Sequence, residues 1–445
     1  MDAPSLIEDI RFGFGPLAGR APGPGYDADR LMAQLTAPDA PADQWATPGL
    51  AERWPLIEAY TADRKAKVHK TNPSAGTLRL AEIEAQDLQV WLSRPAVALC
   101  GFRERLANLW ANRITVAIQG AALRPLVPPF RDEAIRPHIT GRLADMLKAT
   151  LWHPAMQLFL TQVQSVGPNS RQGKKRNKGL NENLAREFLE LHTMGRGYTQ
   201  TDVTELAKLL AGMKHDAEGP RVEDARQEPG EKLILGQTYQ TGAAEIDRLV
   251  EDVAHRPETA EATAFYLARH FIADEPPADL VATMARAYLD HDTALTPVYR
   301  VMLTHPAARA SERAKLRSPH EYVVASLRLG GLTGTEAGLR GFRKDGMKLE
   351  DRMKKLGQPI YEAPSPEGWP ETAAEWLSPP MVSARLDWAI DMGRAIGTNG
   401  ADPRELADFA LGDLASPMLR RAVAGAEQKW EGVTVLLSSP DFSRR

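Results

Sequence analysis

Residues 180–195 read LNENLAREFLELHTMG, and their polar and apolar side chains separate onto two faces when the stretch is placed on a helix at 100° per residue. One face is a polar stripe that consists of Asn183, Arg186, Glu187 and Glu190. The opposite face carries Leu184, Phe188 and Leu191, and His192 falls with them. This spacing predicts an amphipathic α-helix with one buried and one polar face.

The same helical spacing dominates the rest of the 445-residue chain, and few runs alternate between apolar and polar residues. We therefore predict an all-α fold class: a large multi-helix fold with long irregular loops and at most one short hairpin, placed within 216–242. The predicted helices cover 28–36, 49–66, 80–93, 95–118, 132–150, 181–193, 200–213, 243–255, 257–272, 277–290, 294–304, 318–330, 335–356, 380–394, 403–411, 416–426 and 428–438.

A single predominantly helical domain over 1–445 is the expected organisation, because no linker of biased composition interrupts the chain. The alternative is a pair of halves, 1–215 and 243–445, joined by the irregular segment 216–242. A hydrophobic content of 43% is sufficient for a core of ordinary size.

Composition excludes several classes of function. The 55 basic and 58 acidic residues give a net charge of −3, so the basic excess of a nucleic-acid-binding protein is missing. The single Cys100 excludes an internal disulfide. No stretch is apolar enough to predict a membrane span, and the acidic start of the sequence does not resemble a signal peptide. The predicted localisation is therefore cytoplasmic.

The polar stripe has three interpretations. In a functional one it lines a cleft, where Glu187 and Glu190 share a cation or divide acid and base roles and Arg186 binds an anionic group. In a structural one it is a solvated helix face with a Glu182–Arg186 pair, and His192 is a core histidine bonded to a backbone carbonyl. In the third, the side chains form a buried network that clamps loops to the helix.

The loop 357–380 is rich in proline and tryptophan and is the second candidate. Trp369 and Trp376, with Tyr361, offer flat faces to a sugar or a proline-rich peptide. Alternatively, these rings anchor a long loop to the helical body. In the next segment, Thr199 and Asp202 fit a capping box at the start of a helix.

These and other segments carry a family resemblance. They are 11–16, 167–170, 179–203, 235–237, 269–277 and 357–377, and together they span almost the whole chain. In order and number they resemble the bacterial domain-of-unknown-function 1800 family. The resemblance implies a predominantly helical fold and no catalytic residue, because no activity is established for that family. It also implies a protein partner, since many members look exported and are encoded beside a second, secreted family.

The sequence departs from the family pattern at two places. It has no export signal, so a misplaced start codon is the alternative to a cytoplasmic location. Residues 109–114, which read LWANRI, stand where members commonly show a tryptophan followed by histidines and a phenylalanine, and those histidines are missing here. A metal or acid–base role for those histidines therefore does not transfer to this protein.

Two functional hypotheses follow from the sequence. The first is a binding or assembly module that acts with a genomic-neighbour protein or a polymer, for which the candidate binding residues are Asn183, His192, Trp369 and Trp376. The alternative is a hydrolase-type enzyme that uses Glu187, Glu190 and Arg186, with or without a divalent metal. The sequence identifies no particular cofactor, metal or small-molecule ligand.

Overall fold

The structure is a computed structural model that describes residues 6–21, 25–176, 179–216, 218–334, 347–397 and 400–445. The described chain is predominantly helical, which confirms the predicted fold class. Nowhere in these ranges does a helix have the length and apolarity needed to cross a lipid bilayer.

The α-helices in chain order are α1 Ala28–Thr36, α2 Ala40–Gln44, α3 Leu50–Lys65, α4 Ala75–Val97, α5 Gly101–Arg113, α6 Val127–Pro129, α7 Leu143–Trp152, α8 Pro154–Phe159, α9 Arg171–Arg176, α10 Asn183–Glu187, α11 Gln200–Leu210, α12 Ala243–Ala254, α13 Pro257–Phe271, α14 Ala278–Asp290, α15 Leu295–Thr304, α16 Pro319–Gly330, α17 Leu349–Leu356, α18 Pro379–Gly397, α19 Pro403–Leu411, α20 Pro417–Ala424, α21 Lys429–Ser438 and α22 Pro440–Ser443. Within the described ranges, π-helical turns cover Glu8–Phe12, Phe130–Ile135 and Phe188–His192. Short 3₁₀ turns cover Arg124–Leu126, Arg136–His138, Gln162–Gln164, Pro306–Arg309, Ala373–Trp376 and Gly412–Leu414.

Local capping chemistry explains several of these boundaries. The predicted capping box at the start of α11 is present, because Thr199 accepts from the backbone of Asp202 and the Asp202 carboxylate accepts from the backbone of Thr199. Ser318 and Glu321 form a second one at the start of α16. Gly195 follows the π-turn with a φ of +68°, a left-handed conformation that favours glycine and ends the helical run.

Three predicted helices are divided or shortened in the structure. The helix predicted over 181–193 is α10 followed by the π-turn Phe188–His192, and the one predicted over 132–150 consists of a π-turn, a 3₁₀ turn and α7. The helix predicted over 95–118 is shorter in the structure and corresponds to α5. Its first predicted residues belong to α4, which continues through Pro95 and ends at Val97, before α5 begins at Gly101. A Cβ at Gly101 would lie 2.8 Å from Gly13 Cα, so the backbones of Gly13 and Gly101 pack closely where α5 begins. Of the helix predicted over 335–356, residues 335–346 lie outside the described residues.

The described residues form two short hairpins, where the sequence predicted at most one. Strands β1 Met213–Asp216 and β2 Gly219–Val222 pair antiparallel, as do β3 Lys232–Ile234 and β4 Gln237–Tyr239. The second hairpin turns through Leu235 and Gly236, both with positive φ, as a two-residue hairpin turn requires. Leu235 N donates to Asp202 Oδ1 at 2.7 Å, which joins this hairpin to α11.

The buried apolar side chains form two clusters. The first consists of residues between Phe12 and Ala308, and the second combines residues between Tyr322 and Phe442 with Leu6, Ile10, Phe14, Leu92 and Ala96. The amino-terminal segment joins them, because Phe12 belongs to the first cluster while Ile10 and Phe14 belong to the second. Residues from both clusters and from the loop 357–380 enclose the cavity described below.

Candidate functional site

The polar stripe lies on the surface. Asn183 and Glu190 are exposed, and Arg186 and Glu187 are partly exposed. Arg186 contacts Glu182 at 3.4 Å and donates to Gln200 Oε1 at 2.9 Å, which is the surface pairing of the structural interpretation. Burial and the neighbouring Glu190 raise the pKa of Glu187. No residue of the stripe lines the cavity described below, so the stripe and the cavity are separate features.

His192 is buried beneath the stripe, on the apolar side, as its position in the helical pattern predicted. Burial and the neighbouring Arg113 lower the pKa of His192 to about 3, so the ring is neutral at physiological pH. Among the described residues its Nε2 has no hydrogen-bond partner. Arg113 donates to Thr193 O at 3.2 Å and lies over the ring of Tyr266, so it too is engaged within the protein core.

One group of three side chains in the described part of the chain has the spacing of a metal site: Glu251, His255 and Asp292. Both carboxylates already bind Arg142, and Glu251 also binds Lys148 at 2.7 Å. Because these two cations compensate the negative charge, the group is better described as an ion-pair network that links α7, α12 and the end of α14. We assign no metal to it.

A partly enclosed cavity, here called the central cavity, lies between the two apolar clusters. The aromatic residues of its lining are Phe14, Trp91, Tyr361, Trp369 and Trp376. The ionisable residues of its lining are Arg105, Arg131, His270, Glu321, Glu371 and Arg445. The space open to the centre of a water molecule is about 100 Å³, several times the roughly 10–15 Å³ that one water needs. The cavity can therefore hold a small polar molecule.

Glu321 connects two of the charged residues in this lining. Its carboxylate binds Arg105 through Oε1 at 2.9 Å and Arg445 through Oε2 at 2.9 Å, while Oε2 also accepts from Ser318 N. Burial alone would raise the pKa of Glu321, but the two guanidinium groups hold that pKa far below its ordinary value. Glu321 is therefore an ionised group that both caps α16 and forms ion pairs with two buried arginines.

A hydrogen-bonded chain connects Arg105 with Glu371 through His270. Arg105 Nη2 lies 2.8 Å from His270 Nε2, and His270 Nδ1 lies 2.7 Å from Glu371 Oε2. A guanidinium can only donate, so Nε2 accepts and we place the imidazole proton on Nδ1, from which it is donated to Glu371. Burial and the nearby Arg105 lower the pKa of His270 well below its ordinary value, which keeps the ring neutral.

Glu371 is the group in the cavity that is suited to proton transfer. Burial raises the pKa of Glu371 to about 7, although Lys315 and Arg445 act in the opposite direction. Its side chain is 15% exposed. Since Oε2 accepts from His270, Oε1 is the atom that can carry a proton. A carboxyl group that is half-protonated near neutral pH can serve as a general acid or a general base.

The aromatic loop is held against α5 by one asparagine. Asn112 Oδ1 accepts from Trp369 N at 2.7 Å, and Asn112 Nδ2 donates to Trp369 O at 3.0 Å. Gly368 precedes this contact with a φ of +87°, and a Cβ there would lie 2.4 Å from Asn112 O. The loop therefore places Trp369 at the cavity, where its ring centroid lies 6.1 Å from that of the buried Trp376.

Sequence reasoning selected Trp369 and Trp376, which line the cavity, but missed its charged residues. Arg105, Asn108 and Asn112 recur at helical spacing on α5 and would have indicated a polar face. His270 and Glu371 offer no such local signal, because they come from a helix and a loop that are far apart in the sequence. The segments 11–16, 269–277 and 357–377, which carry the family resemblance, all contribute to this cavity.

Comparison with known proteins gives a family and nothing narrower. Residues 10–444 match the family described as protein of unknown function (DUF1800). Neither the curated proteins nor the solved structures contain a match to the chain. The match covers every residue that lines the cavity except Arg445, so the cavity is built almost entirely within the matched region.

Proposed function

The chain belongs to the family of proteins of unknown function DUF1800, and from that premise we propose that the central cavity is its functional site and binds a small polar molecule. The observation that carries the proposal is the combination of aromatic rings and buried charged groups in the lining of one cavity. The rings provide flat apolar contact, and the charged groups provide directional hydrogen bonds. Concave sites of this mixed kind are typical of small-molecule binding.

The size of the cavity favours a small ligand over a docked protein. Trp376 is 3% exposed and Trp369 is partly buried against it, so these rings do not offer a flat external surface. Assembly with a protein encoded nearby stays a separate proposal that needs another surface. The same holds for a long polymer, of which the cavity could hold only one end.

A ligand screen with two tryptophan variants tests the proposal. Thermal shifts are measured with neutral sugars, amino acids, carboxylates and phosphates, and each hit is quantified by titration calorimetry. Trp369→Ala removes one aromatic wall and should weaken binding at least tenfold, about 1.4 kcal/mol. Trp54→Ala is the matched control, because Trp54 is also partly exposed but does not line the cavity. A compound that binds Trp369→Ala and Trp54→Ala with equal affinity would show that its binding site lies outside the central cavity.

A second candidate is a hydrolase-type enzyme, and the contact between Glu371 and His270 favours it. The pair lines the cavity, and the proton on Glu371 is exchangeable near neutral pH because of its raised pKa. Here Glu371 transfers a proton to or from the substrate, while His270 orients the carboxyl group and Arg105 fixes the imidazole. This assignment replaces Glu187 and Glu190 by a carboxyl group that lies in the cavity.

Activity screening of chromogenic esters, glycosides and phosphoesters tests the second candidate. Any hydrolysis should depend on pH with an apparent pKa near 7, and Glu371→Gln should lower kcat by at least about 100-fold. Glu190→Gln is the control, because Glu190 is an exposed carboxylate outside the cavity. Activity that survives Glu371→Gln but disappears in Glu187→Gln would instead support the surface stripe.

A further inference from the structure

We propose that the ligand of the central cavity carries a carboxylate or phosphate group and that Arg131 binds this group. The inference rests on the proposed function, which it deepens by naming the chemical class of the ligand. It stands on the position of one arginine and on the pairing of its neighbours.

Arg131 lies at the boundary between the central cavity and a smaller adjoining compartment. Three other residues line both spaces, namely Trp91, Asn108 and Tyr361. The Arg131 guanidinium donates to Asn108 Oδ1 and lies 5.5 Å from the centroid of the Tyr361 ring. Both contacts orient the planar group without neutralising its charge, so its remaining donors stay available in the cavity wall.

The other arginines that line the two compartments are all paired with carboxylates. Arg105 and Arg445 share Glu321, and Arg94 binds Asp132 through both Nη atoms, at 2.6 and 3.0 Å. The other two pairs nearby are Arg136 with Glu104 and Arg53 with Asp87. By contrast, Arg131 has no carboxylate within 4 Å in the described part of the chain, even though Asp132 follows it directly. Asp132 is already engaged by Arg94.

An unpaired arginine in a partly enclosed site is costly unless an anion completes it. The guanidinium presents its N–H groups in a planar fork, and this geometry matches the two oxygens of a carboxylate or phosphate. Three arginines and two glutamates line the central cavity, and Arg105 and Arg445 share the single Glu321 carboxylate. The lining therefore carries an excess of positive charge, and Arg131 is the arginine of this lining that has no carboxylate partner among the described residues.

Titration calorimetry on the full chain with inorganic phosphate and with malonate, at constant ionic strength, tests the inference and separates the two anion classes. We expect at least one of them to bind the native protein. Arg131→Gln should weaken that binding at least tenfold, and Arg131→Lys, which keeps the charge but not the fork, should weaken it less. Arg64→Gln is the matched control, because Arg64 also lies over a tyrosine ring but outside the cavity.

The outcomes separate this inference from the proposed function. If neither anion binds, or if Arg131→Gln binds both as tightly as the native protein does, the anion site is refuted. Should neutral sugars or amino acids still bind in a Trp369-dependent way, the cavity would remain the functional site with a different ligand class. If Arg131→Gln does not fold, Arg131→Lys is compared with the native protein instead. If Arg131→Lys binds each anion as tightly as the native protein does, recognition by the guanidinium fork is contradicted.

Discussion

His270 Nδ1 lies 2.7 Å from Glu371 Oε2, although the two residues are 101 positions apart in the sequence. The contact joins the end of α13 to the loop that carries Trp369 and Trp376. It also makes Glu371 part of a buried chain of polar groups that continues through Arg105 to Glu321. The stability of the fold and the chemistry of the cavity therefore depend on the same side chains.

Glu371→Gln should change how stability depends on pH. The pKa of Glu371 is about 7 in the folded protein and 4.5 ordinarily, so the folded state holds this proton more tightly. Its stabilising contribution is complete below pH 4.5 and is lost as pH rises through 7, a change of up to ~3 kcal/mol. Denaturant unfolding at pH 5 and pH 8 should show the variant gaining most of that amount relative to the native protein. A difference independent of pH would contradict the raised pKa.

Glu321→Gln should destabilise the protein strongly, because it leaves Arg105 and Arg445 without their shared carboxylate. Breaking a buried ion pair from one side costs about 3–5 kcal/mol, which equilibrium unfolding in urea can measure. Glu82→Gln is the control, since Glu82 pairs with Arg79 on the surface, where both side chains are more than half exposed. That control should cost less than about 1 kcal/mol, and comparable losses in both variants would argue against the central role of Glu321.

Gly368→Ala should detach the aromatic loop from α5. The added Cβ would meet the backbone oxygen of Asn112 at 2.4 Å, in addition to the strain of a positive φ. Gly230→Ala separates the two effects, because Gly230 also has a positive φ but nothing within 4 Å of an added Cβ. We expect about 1 kcal/mol of strain in the control and at least twice that loss in Gly368→Ala, with a change in tryptophan fluorescence. Equal losses would show that the contact with Asn112 is unimportant.

Arg186→Ala should have little effect on stability. Arg186 is 40% exposed and its contact with Glu182 is a surface ion pair, for which typical contributions are about 0.2–1 kcal/mol. Thermal unfolding should therefore stay close to that of the native protein, and any ligand of the cavity should bind unchanged. A large loss of stability would support the interpretation in which the stripe clamps loops to the helix. A loss of ligand binding would show that the stripe takes part in the functional site.

Local patterns in the sequence predicted the parts of the fold that local interactions stabilise. The capping box of Thr199 and Asp202 and the burial of His192 follow from contacts or periodicity within a few residues. The same reasoning found Trp369 and Trp376 because tryptophans in a proline-rich loop are conspicuous. It placed the candidate carboxylates at Glu187 and Glu190, because a dense polar stripe looks alike whether it faces a cavity or solvent.

The sequence by itself therefore determined the helical class, the family and many helix ends, since the 3.6-residue period and the capping groups act over one or two turns. Only the tertiary structure decided which charges are buried together. Arg105, His270, Glu321 and Glu371 come from four separate segments, and their hydrogen bonds exist only after the two apolar clusters have packed. Residues so far apart in the chain leave no periodic signal, because packing rather than spacing brings them within hydrogen-bond distance.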